Sequence, residues 1–296
     1  GTIEAGQTAV TVAAVAKVAD GQIDGITVND AQFATLAANA AALADNSVTL
    51  SEGTIEAGQT AVTVAAVAKV KDAQIDGITL TDAQLATVMA SAETAAAFAD
   101  DSISLDDGSI VGTAETAAVV TYFTKIKVNE VEAITLTDAQ ANTANLLTDN
   151  AIKAGSVTIS ETVNASETRV LASIAKFAAN GITDISITSS EFATAGGTNL
   201  AAFKAGSTDG SASEGVTISD AVTAGTNLDY LINATNLAKI KDGGVTGITL
   251  TDAELGSTLS SSTKAGKFAD NSVTLGEGSI SGTTETAAVV SYFLKI

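Results

Sequence analysis

The chain contains no cysteine, no histidine, no tryptophan and no proline, and its only arginine is Arg169. Each absence removes a class of chemistry. Without histidine there is no imidazole to serve as a general base near neutral pH, and without cysteine there is no thiolate nucleophile; zinc loses its nitrogen and sulfur ligands with them. No disulfide holds the fold. An exported chain of this composition is spared thiol oxidation and mispairing, although the same composition suits the cytosol. Basic residues are scarce too: 34 Asp and Glu against 14 Lys and Arg leave a formal charge of −20 and a sequence pI near 4.1. Such a surface repels phosphate backbones and anionic lipid, which argues against nucleic acid as a partner. No run reaches the ~18 consecutive apolar residues of a membrane span, so no membrane insertion is expected. No initiator Met, signal peptide or lipidation motif marks the start. Aromatics make up 4% of a chain that is 46% apolar, so a core must be filled mainly by Ala, Val, Ile and Leu.

What is present is repetition. The segment ITLTDAQ (Ile78 to Gln84) returns as ITVNDAQ (Ile26 to Gln32), ITLTDAQ (Ile134 to Gln140), ISITSSE (Ile185 to Glu191) and ITLTDAE (Ile248 to Glu254). Ile78 and Leu80 alternate with Thr79 and Thr81, the period of a half-buried strand. Thr81 or Asp82 then offers an oxygen to cap a following helix, whose first amides have no backbone acceptor. A second series shares this grammar: SVTLSE (Ser47 to Glu52), SISLDD (Ser102 to Asp107), SVTISE (Ser156 to Glu161), GVTISD (Gly215 to Asp220) and SVTLGE (Ser272 to Glu277). The two strand types alternate along the chain.

The connectors predict helices. GTIEAGQTAVTVAAVAKV (Gly53 to Val70) and GSIVGTAETAAVVTYFTKI (Gly108 to Ile126) both end in an apolar-x-Lys-apolar signature, which recurs around Lys17, Lys176, Lys239 and Lys295. A lysine in a last helical turn faces the negative end of the macrodipole, a structural role worth about a few tenths of a kcal/mol. The other connectors, Asp30 to Asn46 and Asp82 to Asp101, are Ala-rich, which favours helix and close packing onto a sheet. Gly196, Gly197 and the Gly206 to Gly215 region are poor helix material.

The expected fold class is α/β: a repeat solenoid with one parallel sheet and helical or irregular connectors. The alternative, an all-β right-handed β-helix, follows if the connectors are strands or loops; their alanine content argues against it. First-series strands begin at 26, 78, 134, 185 and 248, spacings of 52, 56, 51 and 63, so each double repeat holds two strand-plus-connector units of solenoid size. The sequence predicts one array over 1–296 with double repeats at roughly 1–52, 53–107, 108–161, 162–220 and 221–277 and a partial repeat at 278–296. Gly1 to Val18 and Gly53 to Val70 are letter-for-letter the same. Both chain ends fall mid-repeat without a polar cap, the pattern of an excerpt or of ends covered by neighbouring copies.

Catalysis would have to rest on carboxylates, Ser/Thr or Lys. Acids recur at every strand exit and do not gather at one place, and no phosphate loop or nucleophile elbow occurs, so no enzyme is expected. Calcium is the sharper expectation, because acid-rich turns offer carboxylates beside carbonyls and hydroxyls. The candidate ligands are Asp45 with Glu52, then Asp100, Asp101, Asp106 and Asp107 around SISL, and Asp270 with Glu277. No EF-hand loop or calcium-binding nonapeptide accompanies them. A rival reading is a Thr-x-Thr ladder from Thr79/Thr81, Thr135/Thr137 and Thr249/Thr251, which resembles ice-binding solenoids; Asn29 and Ser186 interrupt it, and Thr is in any case a good residue for the wet face of a strand.

This alternation of ITLTDAQ-like and SVTLSE-like strands with TAETAAVV- or DAQLATV-type connectors, in an acidic chain without cysteine, resembles the α/β repeat arrays of giant bacterial extracellular surface proteins of S-layer-like, sheath or adhesin type. The resemblance covers essentially the whole chain and carries no catalytic signature. It implies an extracellular, cell-surface location and a structural role in a filament, sheath or surface layer, assembled from copies of itself and stabilised by calcium. The alternative it implies is the stalk of a calcium-dependent adhesin directed at cell-surface glycans. About ten parallel strands at roughly 4.8 Å spacing would make a rod near 50 Å long.

Overall fold

A computed structural model describes residues 1–208, 214–223 and 225–296; of the glycine-containing 206–215 stretch, residues 209–213 lie outside the described residues. The fold is mixed α/β, built on parallel strands and short helices. Contacts divide it into two compact units, Gly1–Ile134 with Thr148–Lys153, and Thr135–Leu147 with Ala154–Ile296.

In the first unit, β1 (Ile26–Val28) pairs in parallel with β2 (Val48–Leu50), setting Ile26 opposite Val48 and Thr27 opposite Thr49. The same register joins β3 (Ile78–Leu80) to β4 (Ile103–Leu105), and β5 (Ser109–Ile110) pairs with the start of β6 (Ala133–Leu136). Single parallel bridges extend these pairs on both sides, from Thr2 to Gly25, Val48 to Val70, Thr54 to Gly77 and Ile103 to Ile126. The helices are α1 (Thr8–Ala14), α2 (Asp30–Ala37), α3 (Thr60–Ala66), α4 (Asp82–Val88), α5 (Ala92–Ala96) and α6 (Thr113–Tyr122). They pack in succession: α1 on α2, α2 on α3, α3 on α4 and α4 on α6.

The second unit carries a longer sheet in the order β10-β9-β8-β7, made of β7 (Val157–Val163), β8 (Phe177–Ile187), β9 (Gly215–Ile218) and β10 (Ile240–Val245), all parallel. A separate pair joins β11 (Ile248–Leu250) to β12 (Val273–Leu275). Its helices are α7 (Asp138–Ala141), α8 (Glu167–Ala172), α9 (Ser189–Asn199), α10 (Thr226–Ile232), α11 (Ala234–Leu237), α12 (Asp252–Thr258), α13 (Ser262–Gly266) and α14 (Thr283–Tyr292).

Every segment of the two sequence series lies on a strand, and the handover from strand to helix has one chemistry throughout. Asn29, Thr81, Thr137, Thr188 and Thr251 each accept the amide three residues on, while Gln32, Gln84, Gln140, Glu191 and Glu254 reach back to the cap residue's own amide. This reciprocal capping box satisfies two amides that the helix cannot. Asn29, which breaks the threonine pattern, fills the cap as well as threonine does because only the accepting oxygen matters.

The core sits between these strands and helices, where alternate strand residues point inward: Ile26 and Val28, Ile78 and Leu80, Ile248 and Leu250 are all buried. Few as they are, the phenylalanines take key places. Phe33, Phe98, Phe177, Phe192, Phe203 and Phe268 are among the largest fully buried side chains. Phe98, Phe203 and Phe268 bridge Ile75, Ile182 and Val245 at the corner that Leu43 fills opposite Ile23. Helix α9 continues through Gly196 and Gly197 against their propensity. Gly196 is the reason: the Tyr230 hydroxyl packs where a Cβ would stand, and the Tyr230 ring meets Phe192 edge-on at 5.6 Å. Packing of this kind outweighs a helix penalty of about 1 kcal/mol.

Candidate functional site

The turn that enters three of the five second-series strands, β2, β4 and β12, is a recurrent polar feature of the chain. Its second residue adopts a left-handed conformation: Asn46 at φ 54, Asp101 at φ 54 and Asn271 at φ 57. Asn and Asp tolerate that region better than other side chains. The twist aims two successive amides at the segment that follows. Asn46 and Ser47 donate to the carbonyls of Ala68 and Lys69, each at 2.9 Å, and Asp101 and Ser102 donate to Thr124 and Lys125 at 2.9 and 3.0 Å. In the second unit Asn271 donates to Leu294 at 2.8 Å.

The acid before the left-handed residue meets a lysine of the recurrent signature. Lys69 Nζ lies 2.6 Å from Asp45 Oδ1, Lys125 2.9 Å from Asp100 and Lys295 2.7 Å from Asp270. Three of the eight candidate calcium ligands are therefore held by lysine ammonium groups. The lysines sit in short terminal turns, as their sequence positions require, but the partner that fixes each one is a carboxylate 24 or 25 residues earlier. Pairs this exposed contribute about 0–1 kcal/mol, so they set register more than stability.

The other candidates are spread out. Glu52, Asp101, Asp106, Asp107 and Glu277 are exposed, and Asp107 accepts the Ser109 amide at 2.8 Å. The strand between them keeps Asp45 from Glu52, and Asp270 from Glu277, on the order of 15 Å apart, whereas the ligands of one calcium ion surround it at about 2.4 Å. Among the described residues no group of three or more Asp, Glu, His or Cys is placed to hold a metal ion. The threonine ladder is divided as well. Thr81, Thr137 and Thr251 are turned into the helix caps, and the wet strand face presents Thr27 beside Thr49, Thr79 beside Ser104 and Thr249 beside Thr274.

A second junction was not legible in the repeats. Asp138, the first residue of α7, accepts the amides of Asn164, Ala165 and Ser166 at 3.1, 2.7 and 3.0 Å and the Ser166 hydroxyl at 2.5 Å. Asp252 likewise accepts both the amide and the hydroxyl of Ser281, and Ser189 donates both of its groups to Asp220. An acid and a serine, one of them at a helix start, thus join neighbouring segments of the second unit. Burial works to raise the Asp138 carboxyl, but the Ser166 hydroxyl and the three amides outweigh it and hold the group below its ordinary value. A depressed folded pKa gives stability that is present above the unfolded value near ~4 and is lost as pH falls below it. Asp138→Asn should therefore lower the stability of the second unit by about 2 kcal/mol at pH 7 and flatten its acid limb below about pH 4, read by urea melts across pH.

Glu167 and Glu191 stand close enough for their charges to interact, and Glu191 lines a groove of about 270 Å³ together with Leu171, Ala172, Ser190, Thr194 and Ala195. Burial, and then the neighbouring Glu191 charge, push the Glu167 carboxyl up. Glu191 is committed elsewhere, since its Oε2 accepts both the amide and the hydroxyl of Thr188. No helix among the described residues is long and apolar enough to cross a membrane. No family model, curated protein or solved structure matches the chain.

Proposed function

We propose that this chain is a non-enzymatic structural segment, a solenoid whose coils add length and surface to an extracellular filament, sheath or surface layer, with chains of the same repeat as its partners. The observation that carries the reading is the use of the polar groups. Lysines, acids, serines and turn amides at repeated positions are spent on joining one coil to the next. A scaffold stabilised by nearest-neighbour contacts grows by adding coils, as repeat arrays do.

The duplicated stretch supplies the test. Placing a further copy of residues 1–52 ahead of Gly1 recreates the Glu52–Gly53 junction, because Gly1 to Val18 repeats Gly53 to Val70. The lengthened chain is expected to stay soluble, keep the same helix signal per residue in circular dichroism, and melt no lower than the parent. Aggregation or a lower Tm would sink the array reading.

Calcium enters the same proposal with a defined outcome. Because the carboxylates are dispersed, calcium and magnesium at equal millimolar concentrations should raise Tm equally, by screening a net charge of −20. A rise specific to calcium would instead assign an ion to the acids left free of lysine, Asp106 and Asp107 first among them.

A further inference from the structure

The repeats supply an internal reference for each position, and one pair of residues departs from it. Nine residues before the recurrent lysine stand Thr8, Thr60 and Thr116, but Glu167 takes that place ahead of Lys176. The capping-box residue 24 positions on is Gln32, Gln84 and Gln140 after the threonines and Glu191 after Glu167; the remaining copy has Tyr230 and Glu254. A neutral Thr and Gln therefore become two carboxylates in this one copy. The fold does not demand the change, because threonine is buried at that position in Thr8, Thr60 and Thr116 and glutamine closes the same capping box. The two acids act on each other: burial, and then the Glu191 charge, push the Glu167 carboxyl up. Among the described residues no lysine or arginine forms an ion pair with either. Glu191 commits only Oε2 to its cap, and no described donor reaches its Oε1.

We propose that the groove between α8 and α9 binds a primary alkylammonium ion, with its charge between Glu167 and Glu191 and its carbon stem along Leu171, Ala172 and Ala195. Leu171 and Ala172 bring α8 to the groove, and Ser190, Glu191, Thr194 and Ala195 bring α9. Glu167 lies one helical turn before Leu171, on the same face of α8. An acidic end beside an apolar wall matches an ion that is itself charged at one end and apolar along the rest. Size points the same way, since the groove holds about 270 Å³, just under the ~300–1,000 Å³ of sites for drug-sized ligands. A hard metal ion suits it poorly. Calcium wants about six to eight oxygens, whereas here two carboxylates stand beside a largely apolar wall, and among the described residues no group of three acids is placed to hold a metal. A free amine and the side chain of a lysine share the chemistry the groove reads. The site adds a ligand to the structural role and does not depend on it.

The test is a titration of the ¹⁵N-labelled full chain with n-butylammonium chloride, followed by amide chemical shifts, with sodium chloride at equal ionic strength as reference because a net charge of −20 attracts any cation. Saturable shifts confined to the amides of α8 and α9 are expected, with a Kd on the order of 1–10 mM, and sodium should not reproduce them. Glu167→Thr and Glu191→Gln install residues that other copies carry, so both variants keep the fold; each should weaken binding about 3-fold, the size of one exposed ion pair. The double variant should show no saturation. Glu254→Gln makes the same capping-box change in the copy where Tyr230 replaces the second acid, and should leave binding unchanged. Nα-acetyl-lysine N-methylamide, as a second probe, names the source: affinity equal to that of butylammonium assigns the groove to free amines, and affinity about 10-fold tighter assigns it to a lysine of a partner chain. Absence of saturation, shifts that sodium reproduces, unchanged binding in the double variant, or equal weakening by Glu254→Gln would each overturn the site.

Discussion

Lys267→Met is expected to destabilise the second unit by about 3–5 kcal/mol, the cost of leaving a buried ion pair with one partner. Lys267 is 2% exposed. Its Nζ donates to the carbonyls of Gly206 and Ser207 at 3.2 and 2.9 Å and stands 3.0 Å from Asp242 Oδ1, whose side chain is itself 23% exposed. Methionine keeps the length and the apolar stem but removes the charge and all three contacts. Asp242 is then left charged in a poorly solvated place, the Gly206 carbonyl loses the ammonium, and the Ser207 carbonyl keeps only the Asp242 amide. The check is urea unfolding of the full chain with a probe in the second unit. Adding Asp242→Asn to Lys267→Met should recover part of the loss, because the stranded charge goes with it. A change below about 1 kcal/mol in the single variant would show that water replaces the ammonium at no cost and that the pair is not a buried one.

Phe98→Ala should cost the first unit about 4 kcal/mol. Phe98 is fully buried, bridges Ile75, and stands at the position that Leu43, opposite Ile23, fills one double repeat earlier in the sequence. The corner is bounded by short strands and cannot collapse far, so a cavity adds to the lost transfer free energy. Phe98→Leu, which Leu43 shows to be a natural occupant of the position, should cost about 1 kcal/mol. Equal losses for the two variants would mean that the ring itself, and not the filled volume, is what the corner requires. The transition to follow is that of the first unit alone, since two compact units need not melt together.

Much of the fold was legible because its signals are short-range. ITLTDAQ encodes a strand by alternation and a helix start by a cap three residues from its partner, and the structure realises both at each of its five copies. The parallel register of β1 with β2 and of β3 with β4 follows from matching two series of the same pattern. The acids were read less well. Asp45, Asp100 and Asp270 look like metal ligands when only their neighbours in sequence are considered, and the lysines that meet them were legible only as helix-end charges. Both halves of each pair were visible; the distance along the chain that joins them was not. Asp138 was missed as a junction for the same reason, since its partners at Asn164, Ala165 and Ser166 lie on another layer. Gly196 was read as a helix breaker because its compensation, the Tyr230 hydroxyl, comes from α10.

Gly1 to Val18 and Gly53 to Val70 draw the line most cleanly. One sequence gives one local structure twice, with helix and terminal turn in the same places, because hydrogen bonds within a few residues need nothing else. Burial of the two copies differs, and Lys69 meets Asp45 while Lys17 meets no carboxylate among the described residues, because those contacts depend on which segment lies alongside. Composition and periodicity by themselves determined the acidic surface, the missing chemistries, the strands and the capped helices. The tertiary structure alone decided which carboxylate each paired lysine meets and where six phenylalanines close the core, since each of these is a contact between residues that the chain must fold to bring together.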